Sequence, residues 1–163
     1  MPLIKNRREI DDIWAYVHDE ADLSPGGCIT VSLGRFLGEK DLLLARNTEI
    51  GVRLEPADDP GELADHLERL TLIEVSFPKY TDGRGYSQAQ LLRRRMGYEG
   101  ELRAVGHVLR DQILYMDRSG FDAFETDRAE LPSVIEALEE YSAFYQPAAD
   151  GNSSVFARRH RKD

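Results

Sequence analysis

LIEVSFPKYTDGRGYSQAQLLRRRMG, residues 72–97, places a strand, a glycine-bearing turn and a helix in one run. LIEVSF (72–77) has the length and β-branched, apolar character of a buried strand. Ser87 and Gln90 stand at capping-box spacing, and Tyr86 with Leu91 at the spacing of a hydrophobic staple. The pattern therefore predicts a helix from about Gln88 to Met96, with Ala89, Leu92 and Met96 on one face and Gly97 as its stop. A strand that feeds directly into a helix is half of a βαβ unit, so the fold depends on whether the unit repeats.

It repeats on both sides. CITVS (28–32) reads as a strand, followed by LGRFLGEKDLLLAR as a helix with Ser32 as N-cap and Leu33, Phe36, Leu37, Leu43 and Leu44 apolar. IGVRL (50–54) is the next strand. Asp59, Pro60 and Glu62 then open a helix in which Leu63, Leu67 and Leu70 recur. LRAVG (102–106) leads into HVLRDQILYMDRSG, with Leu109, Ile113 and Met116 on its inner stripe and Gly120 closing it. Gln112 falls within that stripe, where its amide needs a backbone partner. FDAFE (121–125) precedes LPSVIEALEEYSAFY, with Pro132 in the first turn. Five βα units define an α/β fold, a single domain with a mainly parallel sheet, either doubly wound or half-barrel-like. Residues 28–146 form that domain. Residues 1–27 suit an added strand or helix equally, since Ile10, Ile13, Trp14 and Val17 match a helical face while Ile13, Ala15 and Val17 alternate as in a strand. Residues 147–163 are small, polar and then basic, the composition of a disordered tail.

The 163 residues carry a net charge of -9, unevenly spread. Lys79 to Arg110 holds seven basic residues against three carboxylates, and Arg158, Arg159, Arg161 and Lys162 stand near the end. The acidic remainder excludes a general nucleic-acid binder and leaves one local anion-attracting region. Cys28 is the only cysteine, and His18, His66, His107 and His160 lie far apart, so no thiolate cage or metal-ligand spacing is present. No cofactor is identified by the sequence. No signal peptide or membrane-length apolar run occurs, and the expected location is the cytoplasm.

Capping chemistry accounts for Ser87 and Gln90, and backbone freedom for Gly83 and Gly85. It does not account for Lys79, Asp82 and Arg84 in the same turn. In parallel α/β sheets ligands bind beyond the carboxyl ends of the strands, where a glycine-rich turn presents free N–H groups to an anion. Lys79, Gly83, Arg84, Gly85, Tyr86 and Ser87, with Arg93 and Arg110, are the candidate ligand-binding residues for a small oxyanion or nucleotide phosphate. Asp82, His107 and Asp111 are the candidate acid/base groups. The turn lacks a complete dinucleotide fingerprint and a Walker lysine. Arg95, nearest the apolar stripe of its helix, is the expected structural ion pair of the Arg93–Arg95 run.

The block from Asp82 to Glu125, DGRGYSQAQLLRRRMGYEGELRAVGHVLRDQILYMDRSGFDAFE, resembles a bacterial family, the domain of unknown function 934. Genes of that family commonly sit beside assimilatory sulfite reductase and phosphoadenylylsulfate reductase, and its members are often labelled probable oxidoreductases of sulfite reduction. His107 stands where the family pattern has aspartate, and Ser119 where cysteine is frequent, which removes a thiol mechanism from the block. The resemblance implies a pathway, sulfur assimilation, and no particular catalytic residue. Two functions then compete. One is an accessory protein of sulfate or sulfite reduction with an anion-binding loop, extending to an oxidoreductase that borrows its cofactor. The alternative is a non-enzymatic docking partner of sulfite reductase or its electron donor. A third reading takes the βα units as an incomplete barrel that closes by pairing in a homodimer.

Overall fold

The computed structural model describes residues 2–23, 26–126, 130–141, 143–149 and 154–160. Its core is the expected succession: β4 (Cys28–Ser32), α1 (Leu33–Leu44), β5 (Ile50–Leu54), a 3₁₀ run (Pro60–Arg69), β6 (Leu72–Phe77), α2 (Arg84–Gln90) continued by a π-helical turn (Leu91–Arg95), β7 (Glu101–Gly106), α3 (Arg110–Ser119), β8 (Ala123–Glu125) and α4 (Leu131–Glu139). The ambiguous N-terminal segment forms three short strands, β1 (Leu3–Lys5), β2 (Arg8–Ile10) and β3 (Trp14–Tyr16). Lys5 and Arg8 pair across a two-residue turn whose Asn6 and Arg7 have φ of 50° and 61°, the left-handed geometry of a tight hairpin.

Several boundaries differ from expectation. Ser32 caps α1 as read, its hydroxyl accepting from the Arg35 amide at 3.1 Å. The element capped by Asp59 is a 3₁₀ run rather than an α-helix. With three residues per turn, Pro60, Leu63 and His66 fall in one line; the first two are buried, and His66 meets Phe36 edge-on at 5.6 Å. Within the tail expected to lack structure, a short helix α5 (Val155–His160) begins where the Val155 amide donates to the Phe144 carbonyl. Residues 150–153 and 161–163 of that tail lie outside the described residues.

One eight-stranded sheet runs in the order β2-β1-β8-β7-β6-β5-β4-β3. From β3 to β8 the strands are parallel and in chain order, while β1 joins β8 and β2 antiparallel. This order with right-handed crossovers places the helices on one face. Ile29, Val31, Val52, Ile73, Val75 and Leu102 point into that face and pack with Phe36, Ala89, Leu92, Ile113 and Met116 from the helices. The sheet is curled into a half-barrel, and chain connectivity demands the curl. β2 and β3 are opposite edges, yet only Asp11, Asp12 and Ile13 separate them. Seven strand intervals laid flat would span roughly 34 Å. Four residue steps reach at most about 14 Å, so the edges must bend toward each other.

Candidate functional site

The turn that prompted the anion reading follows the carboxyl end of β6. Asp82 dominates its geometry. One carboxylate oxygen accepts from the Arg84 amide (3.1 Å) and Nε (3.0 Å), and the other from Arg84 Nη2 (2.7 Å). These hydrogen bonds lower the Asp82 pKa to about 2. Asp82 accepts from the amide two residues on and so turns the chain into α2, which begins at Arg84 with Gly83 as its N-cap, earlier than expected from Ser87. Ser87 is exposed within the helix and caps nothing. Gly83 has open space around its Cα, but a Cβ on Gly85 would lie 2.6 Å from Phe77 Cζ, so this glycine serves close helix–strand packing.

The neighbouring turn after β7 meets this loop. Gln112 donates from Nε2 to the Tyr80 carbonyl at 2.8 Å, giving its amide the backbone partner expected. The Tyr86 ring packs edge-on against Phe77 at 5.5 Å; burial and the Asp111 carboxylate raise its phenol pKa. His107 is exposed ahead of α3, its amide donating to the Phe77 carbonyl at 2.8 Å. Lys79 is exposed, and its carbonyl accepts from the Asp82 amide. The structure thus gathers Lys79, Asp82, Arg84, Tyr86 and Asp111 at one end of the sheet.

Two arginines are not brought to that cluster. Arg93 lies at the amino ends of β7 and β8, donating to the carbonyls of Tyr98 (2.6 Å), Gly100 (2.8 Å) and Gly120 (2.8 Å) and to Asp122 (3.0 Å). It fills the ion-pair role expected of Arg95, which is exposed. The π-helical turn supplies the reason: its Met96 amide reaches back to Leu91, which rotates the run relative to an α-helical projection. Arg110 turns toward α4, donating to Ser133 Oγ (3.0 Å) and pairing with Glu136 (3.2 Å).

The inner, helix-free face of the half-barrel holds a polar constellation that the sequence reading missed. Strand register aligns Ser32, Arg53, Glu74 and Arg103 across four parallel strands. Arg53 Nε donates to Glu74 Oε2 at 2.7 Å, and its guanidinium lies 3.9 Å from the centre of the Tyr16 ring. Arg103, 1% exposed, donates from Nε to Glu101 Oε1 (2.8 Å) and from Nη1 to Asp12 Oδ2 (2.9 Å), with Glu74 Oε1 at 3.7 Å. Lys5 closes the row on Glu101 Oε2 at 2.7 Å. Burial disfavours the Arg103 cation, but Glu101, Asp12 and Glu74 outweigh it and raise its pKa, so it stays charged. Glu125 faces the same row, and burial followed by repulsion from Glu74 raises its pKa. A signal existed: Arg53, Glu74 and Arg103 are charges set inside the otherwise apolar runs IGVRL, LIEVSF and LRAVG. No cluster among the described residues has the make-up of a metal site.

These features define an α/β half-barrel with an ion-paired interior and a compact, self-paired loop cluster at the carboxyl end of its sheet. Residues 51–156 match the family described as "Bacterial protein of unknown function (DUF934)", and the chain belongs to that family. No curated protein and no solved structure matches it.

Proposed function

We propose that the protein is a docking component of assimilatory sulfite reduction, presenting the outer face of α2 and of the π-helical turn that continues it to an acidic surface of sulfite reductase. The observation that carries this reading is the pairing state of the arginines. Arg84, Arg93 and Arg110 each hold a carboxylate of the chain itself. Arg94 and Arg95 instead are exposed without an ion pair among the described residues, and line a shallow depression of about 600 Å³ with Ser87, Gln90 and Leu91. In a chain of net charge -9, an unpaired basic patch selects an acidic partner and steers its approach. The pathway comes from the likeness of the Asp82–Glu125 block to proteins encoded beside that reductase.

The test is binding of the full chain to purified sulfite reductase across a salt series. The expected result is a complex that weakens as salt rises and is lost in an Arg94→Glu, Arg95→Glu double variant of unchanged thermal stability. Binding only to the electron donor, or binding indifferent to both charges, would overturn it. The competing reading, an oxyanion or nucleotide-phosphate ligand held by the loop for redox chemistry with a borrowed cofactor, requires that ligand to displace Asp82 from Arg84. A saturable thermal shift with sulfite, phosphoadenylyl sulfate, flavin mononucleotide or NADPH, abolished by Arg84→Ala, would favour it.

A further inference from the structure

We propose that the inner face of the half-barrel is a binding site for a small carboxylate or oxyanion, and that Asp12 occupies it as a tethered ligand. The interior cations are Lys5, Arg53 and Arg103, and the strand carboxylates paired with them are Glu74 and Glu101. Glu125 faces the same row but lies within ion-pair distance of none of the three cations. The strands alone therefore bring two carboxylates into contact with three cations, and Arg103, a buried guanidinium whose desolvation makes an incompletely paired state costly, shares both of them.

The missing anion comes from outside the sheet. Asp12 belongs to the three-residue strap between β2 and β3, where Asp11 is exposed and Ile13 is 68% exposed. Its carboxylate makes one contact with the interior, Oδ2 to Arg103 Nη1, while Oδ1 accepts from the Trp14 amide within the strap. Its side chain keeps 30% exposure against 1% for Arg103, so solvent reaches the junction between them. A carboxylate on a short exposed strap, touching a buried cation through one oxygen, is geometrically the exchangeable member of the network. A free monoanion of carboxylate or sulfite size carries the same charge and the same acceptor to Arg103 Nη1. The tether gives Asp12 a high effective concentration, so in the unaltered protein a free anion competes only when abundant.

The experiment is anion rescue of Asp12→Ala, read by thermal unfolding of the full chain in sodium formate, acetate or sulfite against chloride at equal ionic strength. The expected result is a lowered Tm that one or more of these anions restores saturably, with an Asp11→Ala control that neither loses stability nor responds. The response should persist when Arg84→Ala is added, which separates this site from the loop cluster. If Asp12→Ala does not fold in chloride, refolding yield in formate replaces Tm as the readout and should be restored there. No anion-specific recovery in either readout, or an equal response in the Asp11→Ala control, would overturn the proposal.

Discussion

Glu125 shows how a single side chain reports the curl of the sheet. On an isolated strand it would titrate as an ordinary carboxyl, whereas burial and Glu74 raise its pKa above the usual 4.5. The folded state then holds that proton more tightly than the unfolded chain does. The corresponding stabilisation is present in full below the unfolded value and is lost as pH rises through the folded value. Glu125→Gln is therefore expected to be more stable than the parent at pH 7, with the difference vanishing below about pH 4; urea unfolding at the two pH values checks it. The same residue scale limited the sequence reading. Asp82 and Ser87 are both good caps, and local chemistry does not rank them. α2 starts at Arg84 and packs Gly85 on Phe77, a contact between segments that the spacing of polar residues does not encode.

Elements were legible where periodicity is strong and less so where the helix type changes. β4 to β7 and α1 lie within a residue or two of their reading, because a buried parallel strand is a short β-branched run whatever surrounds it. The π-helical turn was not legible, since one additional residue in a turn leaves the composition of LLRRR unchanged while moving each side chain around the axis. Arg93 gains its four partners through that shift and ties the end of its helix to the starts of β7 and β8. Arg93→Met would strand three carbonyls and Asp122 and is expected to cost roughly 3–5 kcal/mol. Arg93→Lys should recover only part of this, because a single ammonium cannot span acceptors that a planar fork reaches together. Chemical denaturation of the two variants decides between a clamp of this kind and a surface charge.

At the scale of the molecule, the α/β class and its barrel-like option were readable from the order of units, but the interior was not. Arg53, Glu74 and Arg103 look in sequence like charges on an exposed sheet face. They become an interior only because three residues join opposite edges of the sheet. The N-terminal hairpin completes this arrangement by covering the free side of β8, Leu3 opposite Glu125 and Lys5 opposite Ala123. Removing residues 2–10 should leave β8 as an open edge next to buried Phe124, and edges of that kind recruit other chains. Light scattering is expected to show association of the shortened chain; a stable monomer would contradict this role for the hairpin.

The pairing of β1 with β8 also sets the timing of assembly during translation. As the polypeptide emerges in order, Leu3 and Ile4 pair with β2 early, but their second neighbour is present only once Ala123–Glu125 has been made. Native closure thus rests on a contact of long sequence separation, and until it forms the second edge of β1 stays open in the nascent chain.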